Sequence, residues 1–414
     1  MPDRRIRFLI SAVLSTALLS CESTDRMVAA TEQALASRTG RTVLEVVQSK
    51  DPSKAVQRRL DQYAQDPDRL LSDLRAAQHD FQTLYKALNG KVAEKWGPKE
   101  VKLPEKKKYV KYTQSYKSRA IVDFDKAEIT VETLDAGDAR RSLNRAITAA
   151  LLTPQDPRTV DLFSDKETPV TGEEEPYLLG LVLDQQNKPV RTPEAAESFA
   201  NYLVEKKAAT RTIDQNGTSK QATYVTMKMV ANLSQKQAEK YRPYVMRFAE
   251  HYTMSPSLVL AIMRTESNFN PYAVSPVPAY GLMQLVPTSG GREAYRRAKG
   301  QDVTPTRDYL FDPEHNVELG TAFLNVLMFS QLDDVANQVS REYCVIAAYN
   351  TGAGNVFKTF SKNRTTALQQ INDLQPAALY DRLRSKLPYQ ETRNYLEKVT
   401  TYRKGFVISS NASS

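Results

Sequence analysis

Glu266 is a charged residue where the surrounding pattern asks for an apolar one. Ser255-Pro256 opens a helix with a capping serine and a proline at the first helical position. From there Leu258, Val259, Ile262 and Met263 fall on one side, since i, i+1, i+4 and i+5 lie together on a helix. Glu266 is the next member of that series. A carboxyl on a core-facing stripe is desolvated, which penalises its ionised form and raises its pKa toward neutrality. A carboxyl still protonated near neutral pH is the general acid that cleavage of a glycosidic bond requires. Taken alone, the position also suits a glutamate with an ordinary buried partner near a helix end.

Other chemistries are poorly supplied. Cys21 and Cys344 are the two cysteines, and His79, His251 and His315 lie far apart. That excludes a disulfide framework, and no metal-ligand spacing or histidine-based nucleophile is expected, nor any cofactor. The net charge of +9 points to an anionic partner such as a membrane surface or an acidic polymer. The excess is diffuse. Arg292, Arg296 and Arg297, and the lysines at 106–108, read as solvated faces, and without a nucleic-acid-binding signature nucleic acid is not expected as a partner.

Periodicity sets out the elements that must position Glu266. Residues 29–93 carry apolar residues at helical spacing, with a helix start at Asp66-Pro67-Asp68 and a break at Trp96-Gly97-Pro98. Ala120, Val122 and Phe124, then Ile129, Val131 and Thr133, alternate as a β-hairpin. Helical patterns are expected over 138–152 and 194–206, and strands over 177–183 and 224–230. After Leu233 helices alone are expected, over 235–252, 256–269, 313–331 and 341–349. The expected fold is an α+β N-terminal module followed by an all-α domain. The expected boundaries are a leader at 1–20, a helical arm or linker at 21–99, the α+β module at 100–234, the helical domain at 235–405 and a tail at 406–414.

Downstream of Glu266 three fragments follow one another. Glu266-Ser267-Asn268-Phe269-Asn270-Pro271 closes its helix in a turn, Gly281-Leu282-Met283-Gln284-Leu285-Val286-Pro287 comes next, and Ala347-Ala348-Tyr349-Asn350-Thr351-Gly352 comes last. Between the last two, an Asp312-Pro313 helix start carries Asn316 and Gly320. In this order the fragments resemble the lysozyme-like catalytic domain of the soluble-type lytic transglycosylases. Lys108-Tyr109-Val110-Lys111-Tyr112-Thr113 and Pro388-Tyr389-Gln390-Glu391-Thr392-Arg393-Asn394-Tyr395-Leu396 extend the resemblance to a membrane-bound branch of that family, over about residues 95–400.

The resemblance implies a reaction on peptidoglycan glycan strands. Glu266 would protonate the oxygen joining N-acetylmuramic acid to N-acetylglucosamine, with the muramoyl acetamido group, or electrostatic stabilisation, supporting the positive centre. The same residue would then take the proton of the C6 hydroxyl as that oxygen attacks C1, leaving a 1,6-anhydro end and consuming no water. Ser275 would orient the acetamido group, Met283 and Gln284 would line the saccharide cleft, Tyr349 and Asn350 would hold sugar rings, and the hydroxyl of Tyr395 would approach the catalytic carboxyl. Each of these side chains also fits a plain packing role. The loop Pro276-Val277-Pro278-Ala279-Tyr280 departs from the family, whose members carry polar or basic residues there; two prolines stiffen it, and Tyr280 is expected to enlarge its surface. The alternatives are a hydrolytic muramidase, which would need a second carboxylate that the motifs do not show, and a non-catalytic peptidoglycan-binding tether of the outer membrane.

The N-terminus gives a location. Arg4, Arg5 and Arg7 precede an apolar stretch over 8–19 that is short for a bilayer span, so it reads as a secretory signal. Its end, Leu18-Leu19-Ser20-Cys21, resembles the lipobox of bacterial lipoproteins, in which the cysteine is acylated. Glu22 in place of Asp favours the outer membrane by the sorting tendency of that class. The expectation is a protein held by lipid at Cys21 to the periplasmic face of the outer membrane; the other reading is an ordinary signal with an incidental cysteine. In cell fractionation Cys21→Ser is expected to move the protein from the membrane to the soluble periplasm. Unchanged membrane partition of the serine variant would contradict the anchor.

Overall fold

The computed structural model describes residues 67–168 and 174–406. The leader, Cys21 and the first part of the expected helical arm lie outside the described residues. By its contacts the chain divides into Met1–Tyr85 and Lys86–Ser414. A helix, α1 (Pro67–Trp96), runs from the first described residue and stops where Gly97 takes a φ of 87°. A Cβ at Gly97 would lie 2.3 Å from the Asp214 carbonyl oxygen, so a side chain has no room there.

An antiparallel sheet follows, built from β1 (Lys108–Thr113), β2 (Ser118–Asp123), β3 (Glu128–Thr133), β4 (Ala209–Gln215) and β5 (Thr218–Lys228), in the order β1-β2-β3-β5-β4. The expected hairpin is β2–β3, with Val122 opposite Ile129. Two helices, α2 (Ala139–Leu151) and α3 (Pro193–Lys206), are capped by Asp138 and Thr192, whose side chains accept from Arg141 N and Ala195 N. Their apolar sides, with Leu143, Ile147, Phe199 and Leu203, share a core with Tyr109, Val122, Ile129 and Val225 of the sheet. The opposite face, with Val110, Tyr112, Ile213 and Ala222, packs on Leu88, Val92 and Trp96 of α1. Side chains that alternate across the strand are therefore buried on both sides, and β1 lacks the half-polar alternation of a one-faced strand.

One expectation is corrected, and one element was missed. Residues 177–183 form no strand; they fold as turns held by isolated bridges between Leu179 and Val182 and between Leu183 and Pro189. The run is apolar because Tyr177, Leu178, Leu181 and Val182 fill the core below the helices. The hairpin β4–β5 was not anticipated, although Asn216-Gly217, both at positive φ between Gln215 and its partner Thr218, is the turn that two-residue hairpins prefer.

The helical half contains α4 (Leu233–His251), α5 (Pro256–Ser267), α6 (Arg292–Lys299), α7 (Arg307–Phe311), α8 (Pro313–Val326), α9 (Gln338–Thr351), α10 (Ala353–Lys358), α11 (Arg364–Asn372), α12 (Pro376–Lys386) and α13 (Gln390–Lys404). The last turns expected of the 313–331 helix widen to π-type winding over Leu327–Gln331. Among the described residues no helix is long and apolar enough to cross a membrane.

A cluster of charged groups is buried in the α+β half. Arg119 is 0% exposed; it lies 2.6 Å from Glu132 and 3.3 Å from Glu100, with its guanidinium 3.8 Å from the centre of the Trp96 ring. Arg211 grips the same two glutamates at 2.7 and 2.8 Å, so two cations and two anions neutralise one another. Arg119→Ala would leave Glu100 and Glu132 to Arg211 alone and unbalance the cluster, at a cost of about 3–5 kcal/mol. Thermal unfolding is expected to start at clearly lower temperature; an unchanged transition would show that the cluster contributes nothing net.

Candidate active site

Helix α5 is buried on nearly all sides, not on the one stripe read from the sequence. Leu258, Val259, Leu260, Ala261, Ile262 and Met263 are all in the core, and so are Thr265, Glu266 and Ser267. Three features of the sequence hold its end. Asn268 adopts the left-handed conformation as the helix cap, which asparagine tolerates better than most residues. Ser267 Oγ donates to the Leu282 carbonyl at 2.7 Å, joining the helix to the loop at 281–284. Asn268 and Asn270 reach into the α+β half, donating from Nδ2 to the carbonyls of Phe124 at 2.8 Å and Lys106 at 3.2 Å. Tyr272 follows into the α+β core, its ring 4.9 Å from Tyr109 and 5.7 Å from Tyr177.

The Glu266 side chain is 7% exposed. Burial raises its carboxyl above the ordinary range; the Lys106 ammonium and the Tyr395 hydroxyl oppose that rise, and Glu391 adds to it. Lys106 Nζ stands 3.7 Å from the Glu266 carboxylate and 4.0 Å from Glu391. The lysine run at 106–108 is thus not a plain solvated face: Lys106 meets Glu266, Lys107 meets Asp125 at 3.3 Å, and Lys108 meets Glu105 at 3.1 Å. Neither Lys106 nor Glu391 was predicted as a site residue. Their only signals were the lysine run itself and the motif around Tyr395, and nothing local tells which lysine turns inward.

Tyr395 and Tyr349 are brought to the carboxyl. Burial, and then the charge of Glu266, hold both phenols well above the usual value. The Tyr395 hydroxyl is buried beside Glu266 without closing a well-formed hydrogen bond to any group. Tyr349 donates to the Met283 carbonyl at 2.9 Å, and Asn350 accepts from Thr392 Oγ1 at 2.6 Å, which ties α9 to α13.

The remaining expected residues have structural partners. Met283 is fully buried, with its sulfur against Gly320, where a Cβ would approach to 2.2 Å; it packs behind the loop and lines no open cleft. Gln284 donates from Nε2 to the Gly281 carbonyl at 3.0 Å, while its buried Oε1 has no partner. The Ser275 hydroxyl donates to the Val277 carbonyl and accepts from Ala279 N, so it closes its own loop. Within that loop Val277 is exposed, but Tyr280 turns in, its ring 5.3 Å from Phe311. The expectation of an enlarged surface at Tyr280 is corrected: an aromatic next to an apolar helix end gains more from burial than from solvent.

Asn316 organises the loop. Its Oδ1 accepts from Met283 N at 2.8 Å, and its Nδ2 donates to the carbonyls of Tyr280 at 2.9 Å and Leu310 at 2.7 Å. Gly281, at φ 75°, leaves the space in which that amide fits. A cavity of about 800 Å³ lined by Tyr177, Lys240 and Phe406, and another of about 750 Å³ lined by Arg296, Arg297 and Phe329, contain none of the expected site residues. No group of three or more histidine, cysteine or carboxylate side chains suited to a metal ion occurs among the described residues.

Asn316→Leu keeps the branched shape but removes the amide that pairs the Met283 N–H and the Leu310 carbonyl, while the Tyr280 carbonyl keeps Leu285 N; each group left unpaired costs about 1–3 kcal/mol. The variant is expected to unfold at lower temperature and to lose turnover together with stability. Wild-type stability in Asn316→Leu would show that water replaces the amide.

Comparison with known proteins identifies the family. The profile of the membrane-bound lytic murein transglycosylase C N-terminal domain matches residues 74–240, and that of the transglycosylase SLT domain matches residues 243–372. A membrane-bound lytic murein transglycosylase C from Serratia proteamaculans is 43% identical over 312 residues, 75% of this chain and 85% of its own length. The counterpart from Sodalis glossinidius is 42% identical over the same shares. Among solved structures, the 70 kDa soluble lytic transglycosylase of Escherichia coli aligns with a TM-score of 0.31 and 27% identity, over 39% of this chain and 23% of that one. The chain belongs to the family of the membrane-bound lytic murein transglycosylases C.

Proposed function

We propose that this chain is a peptidoglycan lytic transglycosylase in which Glu266 alone serves as acid and then as base. The observation that carries the reading is a carboxyl buried at the end of an apolar helix, raised by that burial and faced by Lys106, Tyr349 and Tyr395. A carboxyl raised in this way keeps its proton to higher pH than a surface glutamate does, so it can donate to the glycosidic oxygen between N-acetylmuramic acid and N-acetylglucosamine. The C1–O bond breaks, the departing sugar keeps the proton, and Glu266 is left as a carboxylate. The C6 hydroxyl then attacks C1 and returns its proton to Glu266. Bonds and protons balance without water, and the product is a 1,6-anhydromuramoyl end. Gln284 Oε1, buried without a partner, is a polar group that a sugar would satisfy.

Glu391 is the observation on the side of hydrolysis. It supplies, beside Glu266, the second carboxylate that the motifs did not show, and a hydrolytic muramidase would use such a group to activate water. Its side chain is 74% exposed and stands 4.0 Å from Lys106, so it is not enclosed as Glu266 is. The transglycosylase reading stands first, and the form of the released ends, anhydro or reducing, separates the two.

The protein acts on peptidoglycan and is membrane-associated, in line with its membrane-bound relatives. We assign the attachment to lipid at Cys21 and the location to the periplasmic face of the outer membrane, which sets the enzyme against the glycan strands.

Glu266→Gln preserves shape but neither gives nor takes the proton. Release of anhydromuropeptides, followed by mass spectrometry, is expected to fall at least ~10²–10⁴-fold, with the fold intact by circular dichroism. Retention of more than about a tenth of wild-type turnover, well outside that range, would remove Glu266 from the role.

A further inference from the structure

The cation nearest to Glu266 comes from the α+β half, in the short link that precedes β1. Its position is fixed from both sides. Asn270 of the enzyme half binds the Lys106 carbonyl at 3.2 Å, the next carbonyl, that of Lys107, accepts from Phe124 N at 3.1 Å, and Glu105 pairs with Lys108 across a bridge. With the backbone held in this way, the Lys106 side chain spans two carboxylates, 3.7 Å from Glu266 and 4.0 Å from Glu391.

We propose that the α+β module contributes Lys106 to the reaction centre as a positioning residue that stabilises Glu266 as the carboxylate it becomes after giving up its proton. The proposal rests on the acid/base reading of Glu266. Burial favours the neutral acid in the first step and disfavours the anion that must persist until the C6 hydroxyl is deprotonated. An ammonium beside the carboxyl offsets the second effect. Its hold is limited, because Lys106 is 39% exposed and Glu391 draws on the same charge. The other titratable groups facing Glu266 are Tyr349 from α9 and Tyr395 from α13, and both stay neutral in the working range. Lys106 is thus the one neighbour among them able to offset the new charge with a full positive one. The α+β module is then part of the catalytic machinery, not only a spacer between the anchor and the enzyme.

The sign of the effect can be measured. For kcat/KM the free enzyme must carry Glu266 protonated, so activity falls on the alkaline side as that carboxyl ionises. Removing a nearby cation raises its pKa, and the alkaline limb moves up. In the full chain, Lys106→Met and Lys106→Gln are expected to shift that limb to higher pH by about one unit, while kcat at the plateau drops on the order of tenfold. Lys106→Arg keeps the charge and is expected to hold the limb near its wild-type position. Glu391→Gln, at an exposed site that the fold does not need, is expected to move the limb the other way. A purely structural Lys106 would lower the melting temperature and leave the limb in place. An unmoved limb in either neutral variant that folds overturns the proposal. Activity surviving in Glu266→Gln overturns the underlying reading, so the two failures are distinguishable.

Discussion

A carboxyl that must exchange a proton twice has been placed at the end of a helix with almost no polar surface, and the surrounding structure is arranged to tolerate it. Six consecutive apolar residues of α5 precede Glu266 in the core, so water cannot solvate the anion as it would at the surface. A fully uncompensated buried charge would cost several kcal/mol. Compensation arrives from three directions: the Lys106 ammonium, the Tyr395 hydroxyl, and the partial opening of the site where Lys106 and Glu391 meet solvent. Burial still prevails, and the carboxyl stays raised.

The turn after Glu266 carries much of the architecture. Asn268, Asn270 and Tyr272 leave the catalytic helix and enter the α+β half, where they meet Phe124, Lys106 and Tyr109. Tyr177 returns the contact, donating to the Phe269 carbonyl at 3.2 Å and accepting from Gln237 at 2.8 Å. The two halves therefore share a core through Tyr272, and the segment that ends the catalytic helix also docks the accessory module. This explains how a lysine more than a hundred residues upstream comes to sit beside Glu266.

What the sequence made legible follows from how local each signal is. Helix starts such as Ser255-Pro256 and Asp312-Pro313, and the alternation in β2 and β3, depend on near neighbours and were readable, although only Asp312 caps with its side chain and Ser255 does not. The buried position of Glu266 was also readable, although the one-sided stripe understated how fully α5 is enclosed. Signals that depend on distant packing were not. β1 is buried on both faces because α1 covers the side that α2 and α3 do not, so it showed no alternation. The run at 177–183 mimicked a strand because its residues fill a core without pairing. Ser275 and Met283 were expected to face the sugar, yet one closes its own loop and the other packs on Gly320. Lys106 was invisible as a site residue, since its partner is reached only through the docking of the two halves.

The central claim is that burial leaves Glu266 protonated at a pH where an ordinary glutamate is ionised. A direct test is a site-resolved titration of its side-chain carboxyl carbon by NMR in the folded full chain, with Glu266→Gln identifying the signal. The account predicts a midpoint clearly above the ordinary glutamate value of about 4.3. A midpoint at or below that value would mean that Lys106 and Tyr395 outweigh burial, and Glu266 could not then act as the acid that starts the reaction.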